Sequence, residues 1–406
     1  MSAQTAPKPA APKPAAPMPP APHRPPQLDI DAVIADPRTE IIVCCGSGGV
    51  GKTTTAAALG LRAAESGRRV VVLTIDPARR LAQSLGLTEL DNTPRPVTGI
   101  DSSAGGSLHA MMLDMKRTFD EVVIAHSEPG KAEQILANPF YQAVSSSFAG
   151  TQEYMAMEKL GQLKASAGTP EAPWDLIIVD TPPSRSALDF LDAPNRLGSF
   201  LDGRFIRLLT APAKAGGRAG LKVFGIGVQL VTSTMTKILG GQMLSDVQTF
   251  VNALDTMFGG FRERADETYR LLSEEGTAFL VVAAPERDAL REASYFVERL
   301  EADGMPLAGL VVNRIGRVSA PGLTPSKSLA VAESLEDGNG PRSATTAAGV
   351  LRLHADLVRT AERQRDLADR FSRSHPSIPV VQVPALGRDV HDLESLREVG
   401  TSLAGA

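Results

Sequence analysis

The sequence predicts an α/β fold in which a mostly parallel central sheet is flanked by helices. Short apolar, β-branched runs recur along the chain and alternate with segments of helical periodicity. This pattern is typical of parallel strands that are covered on both faces. The first apolar run also ends in a glycine-rich stretch, GSGGVGKT at residues 46–53, which directly precedes a helical segment.

The predicted strands share this apolar character and are each followed by glycine, an acidic residue or a loop. They are Thr39–Cys45, Arg69–Ile75, Leu108–Leu113, Trp174–Val179, Ala278–Ala283, Leu307–Val312 and Ile378–Val383. Thr53–Ser66 is predicted as a helix that Gly67 ends.

The remaining segments predict the domain organisation. Residues 1–27 contain ten of the thirty prolines, so we expect a disordered Pro/Ala-rich tail over residues 1–36 and one folded domain over residues 37–406. Helical subdomain segments are predicted at about residues 115–168 and 186–275, the latter with apolar residues at helical spacing from Leu244 to Phe261. Gly, Ser and Pro are frequent at about residues 316–346, where we expect a mobile loop.

Composition excludes several classes of function. The 406 residues carry a net charge of −4, so there is no overall basic footprint and no nucleic-acid partner is expected. The N-terminus lacks the apolar core of a secretory signal. Cys44 and Cys45 lie in an apolar run and are predicted to be buried, reduced thiols of a cytoplasmic protein. Peripheral contact with a membrane stays open.

The glycine-rich stretch is a complete P-loop in the strand–loop–helix context that the motif requires. Its glycines let backbone amides approach phosphates, and the following helix adds the partial positive charge of its N-terminus. We therefore expect Mg-ATP to be bound by the loop and the first turn of the helix. The predicted binding residues are Gly48, Gly49, Val50, Gly51, Lys52, Thr53 and Thr54. Lys52 is expected to reach the β- and γ-phosphates during catalysis, and Thr53 to bind Mg²⁺ directly.

Two aspartates follow predicted strands and complete the candidate site. Asp76 lies in TIDPARR and Asp180 in IIVDTPPS, so both should project from the carboxyl edge of the sheet, where open α/β folds bind ligands. Asp180 is suited to hold Mg²⁺ through water. Asp76 is suited to orient the attacking water and to contact Mg²⁺ through water. The alternative for each is an aspartate that caps a helix or lies in a loop.

At these motifs the chain resembles a known family. GSGGVGKTTTAAALGL, TIDPARRLAQSLG, LHAMMLD, FAGTQEY, VDTPPSRSALDFL, VVAAPE and VVNRI occur in the order found in the ArsA family of arsenite-pump and tail-anchored-protein-targeting ATPases. This family lies within the wider group that contains nitrogenase iron protein, MinD and ParA. The resemblance covers roughly residues 38–400.

The resemblance implies roles for individual residues. Asp76 matches the switch I aspartate that places the lytic water, and Asp180 begins the switch II segment. Asn313 matches the asparagine that reads adenine, Pro384 falls near the loop that covers the base, and Glu286 matches a glutamate that contacts the nucleotide. The resemblance also implies a dimeric ATPase whose segments like 186–275 form an apolar groove for a client transmembrane helix. The alternative is that these apolar stripes pack on each other.

Two departures from the family change what is expected. Relatives carry a signature lysine at the second position of the loop, which crosses a dimer interface to the partner's nucleotide, but this chain has Ser47. A homodimer would lack that charge unless Arg79, Arg80 or Arg185 supplies it. We therefore predict a heterodimer with a paralogue that retains the lysine, with the homodimer as the alternative.

The second departure concerns thiols. Arsenite-binding members need a cluster of thiols and eukaryotic targeting members hold zinc through Cys-x-x-Cys, whereas Cys44 and Cys45 are adjacent and should face opposite sides of a strand. Neither arsenite efflux nor zinc binding is expected. The predicted function is an ATP-hydrolysing dimeric switch that binds an apolar client such as a membrane-protein helix. A ParA/MinD-like positioning ATPase is the alternative, although the C-terminus lacks a basic amphipathic helix, and an enzyme of cofactor biosynthesis with this fold also stays open.

Overall fold

A sheet of eight strands forms the centre of the chain. The computed structural model describes residues 26–75, 80–139, 141–142, 145, 151–182, 263–336 and 342–405. The strand order is β3-β4-β2-β5-β1-β6-β7-β8, and only the β3–β4 pair is antiparallel. The strands are β1 (Ile41–Cys45), β2 (Arg69–Thr74), β3 (Arg95–Pro96), β4 (Ser107–Met112), β5 (Leu176–Asp180), β6 (Thr277–Ala283), β7 (Leu307–Ile315) and β8 (Val380–Pro384). The predicted mostly parallel sheet is confirmed, and β3 is a short addition that the sequence did not predict.

Helices cover both faces of this sheet. They are α1 (Ile30–Ala35), α2 (Lys52–Glu65), α3 (Arg80–Ser84), α4 (Met115–His126), α5 (Pro129–Ala137), α6 (Thr151–Ser166), α7 (263–273), α8 (Arg287–Ala302), α9 (Pro325–Glu336), α10 (Arg342–Ser374) and α11 (Leu393–Leu403). None of the described helices combines the length and the apolar content that a membrane span requires.

The alternation of side chains along each strand divides the core into two layers. In β1, Ile41, Val43 and Cys45 contribute to one layer, which contains apolar side chains of α4 to α8. Ile42 and Cys44 contribute to the other layer, with α1, α2, α3 and α11. Because successive strand residues point to opposite faces, a strand covered on both sides must be apolar throughout. This is the physical reason for the continuous apolar runs in the sequence.

The position of β1 in the sheet determines where a ligand can bind. The chain passes from β1 to β2 on one side of the sheet, and β6, β7 and β8 later extend the sheet on the other side. The chain direction across the sheet thus reverses at β1. In open α/β folds, ligands bind outside the carboxyl ends of the strands at such a switch point. The loop after β1 is the P-loop predicted from the sequence.

The folded part of the chain begins before residue 37, so the predicted boundary between the disordered tail and the folded domain was wrong. Gln27 pairs with Val380 at the edge of β8, and α1 follows with Asp29 as its N-cap, whose side chain accepts from the backbone amide of Ala32. Ile30 is fully buried, like Ile34 one turn later. The proline content of the preceding segment masked this short amphipathic helix in the sequence. Residues 1–25 lie outside the described residues.

The prediction of a mobile loop over residues 316–346 was also wrong in part. Residues 325–336 form α9, and α10 begins at Arg342. The helices pack through small buried side chains, Ser328 and Ala332 on α9 and Ala348 on α10. Gly, Ser and Pro are frequent in this segment and gave it the composition of a loop, which explains the error. Residues 337–341 are not described.

Most of the predicted helical subdomain lies outside the described residues. Residues 115–168 contain α4, α5 and α6, in agreement with the helical pattern. Of residues 186–275, only 263 onward are described, and 263–273 are helical. The apolar stripe from Leu244 to Phe261 therefore lies outside the described residues, and the subdomain stays a prediction.

Candidate functional site

The P-loop connects β1 to α2 with no other intervening segment. Its first residue, Gly46, packs so closely beneath β6 that a Cβ atom would lie 2.1 Å from the carbonyl oxygen of Val282. Its sixth residue, Gly51, is the N-cap of α2 and has φ 99°, a left-handed conformation that favours glycine. These two glycines are therefore required, Gly46 by its close approach to β6 and Gly51 by its backbone conformation.

Lys52 opens α2 and folds back over the loop. Its Nζ atom donates a 2.9 Å hydrogen bond to the carbonyl oxygen of Ser47, and the residue is only 6% exposed. The ammonium group is thus held inside the loop that is expected to surround phosphates. A cation in this position can neutralise phosphate charge.

The next residue, Thr53, contacts one of the two predicted aspartates. Its hydroxyl donates to Oδ2 of Asp180 over 2.7 Å. The hydroxyl of Thr74, at the end of β2, donates to the same oxygen over 2.9 Å, and Asp180 is fully buried. The two hydroxyls come from α2 and from β2, the strand that pairs with β5, so the fold brings the P-loop threonine and the β5 carboxylate together.

Asp76 lies among the residues that the structure does not describe. The residue before it, Ile75, donates its backbone amide to the carbonyl oxygen of Asp180 over 3.0 Å. The chain therefore approaches position 76 beside Asp180, at the carboxyl edge of the sheet. The roles predicted for the Asp76 side chain stay predictions, and Arg79 and Arg185 also lie outside the described residues.

The opposite side of the P-loop is held by β7. The Asn313 side-chain amide donates to the carbonyl oxygen of Val50 over 2.9 Å, and Arg314 donates to the carbonyl oxygen of Gly49 over 2.6 Å. Two consecutive residues of β7 thus contact two consecutive carbonyls of the loop. Asn313 packs tightly, since a Cβ atom on Gly51 would lie 2.2 Å from its Nδ2.

Pro384 and Glu286 lie at the same edge of the sheet. Pro384 ends β8, where it is in register with Ile315, two residues after Asn313. Glu286 is exposed and is the N-cap of α8, just after β6, although its side chain makes no capping hydrogen bond. Both positions are compatible with the predicted nucleotide contacts, which stay predictions.

The two cysteines are buried on opposite faces of β1, as predicted. Cys44 packs in the layer with α2, and Cys45 in the layer with α4 to α8. Burial raises the pKa of the Cys45 thiol to about 12. Burial, together with the nearby Asp180 carboxylate, raises the pKa of Cys44 well above its usual value. Because the thiolate is the form that binds soft metals, these raised pKa values disfavour metal binding by either thiol.

Sequence reasoning missed two polar residues of this site. Thr74 ends the strand RVVVLT after four apolar residues, and it lies two residues before Asp76. Arg314 directly follows Asn313. In both cases a polar residue at the carboxyl end of a buried strand was the available signal.

The fold and the site together define a P-loop ATPase. A family model described as anion-transporting ATPase, ArsA, matches residues 39–317. The match covers more than half of the chain, and the chain belongs to the ArsA family of ATPases.

Curated relatives agree with this assignment. The chain is 23% identical over 287 residues to ATPase ASNA1 homolog 2 of Paramecium tetraurelia, which covers 70% of this chain and 78% of that protein. It is 24% identical over 305 residues to ATPase GET3B of Arabidopsis thaliana, with coverages of 71% and 67%. It is 25% identical over 278 residues to ATPase GET3 of Malassezia globosa, with coverages of 68% and 72%.

Proposed function

We propose that this ATPase is a dimeric switch in which Mg-ATP binding and hydrolysis control the binding of an apolar client, such as a membrane-protein helix. The observation that carries the nucleotide part is the contact of Thr53 with Asp180 beside Lys52. The client part rests on the resemblance to tail-anchored-protein-targeting ATPases and on the apolar stripes in residues 186–275.

The residues present fit a Mg²⁺ ion. Thr53 and Asp180 place a hydroxyl and a carboxylate 2.7 Å apart at the start of α2, and hard oxygen donors of this kind are the ligands that Mg²⁺ prefers. Thr53 would bind the ion directly and Asp180 would hold it through water. When bound, Mg²⁺ would neutralise charge on the β- and γ-phosphates.

The remaining site residues divide into two groups by their position in the sheet. Lys52 and the amides of Gly48 to Thr54 would hold the phosphates, while Asp76, which follows β2, would orient the attacking water. On the other side of the P-loop, Asn313 would read the adenine ring, with Pro384 and Glu286 as further nucleotide contacts. The nucleotide would thus lie across the carboxyl ends of the strands, with its phosphates over β1 and its base toward β7 and β8.

Two other functions are less well supported. An arsenite-efflux subunit needs thiolates, and the pKa values of Cys44 and Cys45 are raised by burial on opposite faces of β1. A ParA/MinD-like positioning ATPase needs a basic surface for DNA or lipid. The described C-terminal helix, α11, has the sequence LESLREVGTSL, with two glutamates and one arginine. A switch with an apolar client needs neither feature, and it would act from the cytoplasm with peripheral contact at the membrane.

The test is nucleotide-dependent capture of an apolar helical peptide by the full chain without detergent. We expect capture with Mg-ATP and release after hydrolysis, and Asp76→Asn should bind ATP but hold the peptide longer. A peptide of equal length with serine in place of leucine is the matched control for the client. Asp369→Asn, an exposed aspartate on α10, is the control for the substitution. Equal capture with ATP, with ADP and without nucleotide would exclude the switch but leave the ATPase activity intact.

A further inference from the structure

Arg314 has a backbone conformation that is unusual for its residue type. Its φ is 63°, and it is the only residue other than glycine with a positive φ in the described part of the chain. It lies where the register between β7 and β8 shifts, between Asn313 and Ile315, so it is the extra residue of a bulge. Bulges redirect side chains next to active sites, and left-handed conformations of non-glycine residues concentrate at functional positions.

The bulge directs the Arg314 side chain at the P-loop. Its Nη2 atom donates to the carbonyl oxygen of Gly49 over 2.6 Å while the side chain as a whole stays exposed. Without the bulge, the alternation of a strand would turn residues 313 and 314 to opposite faces of the sheet. Here both side chains reach the loop, Asn313 at Val50 and Arg314 at Gly49.

The position of Arg314 indicates which part of a nucleotide it would contact. The residues suited to phosphates and metal, Lys52, Thr53 and Asp180, lie on or beside β1 and β5. Arg314 lies at the end of β7, next to β8. Its bond is to a carbonyl oxygen of the loop, whereas phosphates take the loop's amide groups. Arg314 thus reaches the P-loop from the β7 side, whereas Lys52 and Thr53 lie on α2 and Asp180 lies on β5.

We propose that Arg314 forms one wall of the purine subsite, with its guanidinium anchored on Gly49 and its planar face packed against the base. Guanidinium groups stack on aromatic rings through dispersion and cation–π attraction, and a planar group already fixed at one end loses little freedom on binding. The inference rests on the proposed nucleotide site. It assigns a base contact to Arg314, which directly follows Asn313, the residue proposed to read the edge of the same ring.

The experiment compares ligands with and without a base. Calorimetric Kd values for Mg-ATP, Mg-ADP and inorganic tripolyphosphate with Mg²⁺ are measured for the wild-type chain, Arg314→Ala, Arg314→Gln and Arg314→Lys. Arg317→Ala is the matched control, because it removes an exposed arginine from the same segment. Thermal unfolding of each variant confirms the fold, and the backbone strain at residue 314 is retained in all three substitutions.

We expect Arg314→Ala and Arg314→Gln to weaken ATP and ADP binding about 3- to 30-fold, the range of a cation–π contact. Tripolyphosphate binding should change less than about twofold, and Arg314→Lys should lose less affinity for ATP than Arg314→Gln. Unchanged ATP affinity in both neutral variants would overturn the inference. So would an equal loss for tripolyphosphate, because Arg314 would then act only by holding the P-loop. A wild-type chain that binds neither ATP nor ADP would overturn the proposed nucleotide site itself.

Discussion

Thr74 donates its hydroxyl hydrogen to Asp180 in the fully buried space between β2 and β5. The 2.9 Å bond reaches the same carboxylate oxygen, Oδ2, that accepts from Thr53 at the start of α2. The carboxylate is therefore oriented from two sides, by the strand that precedes Asp76 and by the helix that follows the P-loop. A nucleotide contact at either element can thus affect the other through Asp180.

Replacing Thr74 by valine preserves the shape of the side chain but removes this donor. We expect a loss of about 1–3 kcal/mol in the free energy of unfolding, because a buried carboxylate oxygen loses a hydrogen bond. We also expect roughly tenfold slower ATP turnover at saturating ATP, equivalent to about 1.4 kcal/mol in the barrier. Urea unfolding and steady-state phosphate release measure the two effects.

Thr74→Ser is the control for this prediction, since it restores the hydroxyl while removing the methyl group. Turnover should recover in the serine variant to within about twofold of the wild type, a barrier difference of under about 0.5 kcal/mol. If valine slows turnover no more than serine, Thr74 does not orient Asp180 for catalysis.

Gly51 joins the P-loop to Asn313, and its substitution should affect both. A Cβ atom at residue 51 would lie 2.2 Å from the Asn313 amide nitrogen, and φ 99° disfavours any other residue. Gly51→Ala should therefore displace Asn313 from its bond to Val50 and destabilise the fold by about 1–3 kcal/mol. We expect ATP affinity to fall at least about tenfold, or 1.4 kcal/mol in binding free energy.

A matched control for Gly51→Ala lies in the same loop. A Cβ atom on Gly49 would have open space around it, although φ 73° still disfavours alanine. Gly49→Ala therefore carries the backbone strain without the collision with Asn313. Equal losses in the free energy of unfolding in both variants would show that strain, and not the contact with Asn313, determines the effect on the fold.

The parts of the fold that were predictable are those where one residue pattern permits one structure. β1 must be apolar on both faces, and the glycines of residues 46–51 fit only a tight phosphate loop, so strand, loop and helix followed from local sequence. The order of the strands did not, because the pairing of β5 between β1 and β2 depends on contacts between residues over a hundred positions apart.

The errors have physical causes as well. The helix α1 is short, and its stability comes from burial of Ile30 and Ile34 against the rest of the core, which no local pattern reports. Arg314 contacts the P-loop because of a bulge, and the residue's left-handed conformation has no signature in the sequence VVNRI. The Thr74–Asp180 bond likewise depends on the register of β2 and β5, where these two residues are direct partners.

Because its two cysteines are buried, we expect the protein to lose stability at alkaline pH. The pKa of Cys45 is raised from 9.0 to about 12 by burial, so the folded chain keeps a proton that the unfolded chain releases. The stabilising contribution is fully present below about pH 9 and is lost as pH rises from 9 toward 12. In Cys45→Ala, the fall of the unfolding free energy with pH in this window should be shallower by up to about 1.4 kcal/mol per pH unit.

Urea unfolding at a series of pH values measures this slope. Val43→Ala is the matched control, because Val43 is a buried apolar residue on the same strand and the same face as Cys45. It should lower stability equally at every pH. Native Cys44 and Cys45 should also resist alkylation at pH 8. Identical slopes in wild type and Cys45→Ala would show that the thiol does not contribute.

Ser47 tests whether this chain works alone. Ser47 is only 9% exposed, and its carbonyl oxygen accepts a hydrogen bond from Lys52. The family resemblance places a lysine here that reaches the nucleotide of a partner subunit. A homodimer of this chain would lack that cation in both sites unless Arg79, Arg80 or Arg185 supplies it. We therefore expect slow ATP turnover by the purified chain and faster turnover when a paralogue with the lysine is added.

Ser47→Lys should restore the cation within a homodimer. A cation that crosses an interface to a transferring phosphoryl group can raise turnover by about 10³-fold or more, and we expect at least about a tenfold increase here, or 1.4 kcal/mol of the barrier. Ser47→Gln controls for side-chain length without charge and should not raise turnover. Calorimetry with ATP confirms that each variant still binds nucleotide. Rapid turnover by the wild-type chain alone, unchanged by Ser47→Lys, would favour a homodimer whose charge comes from another residue and would count against a paralogous partner.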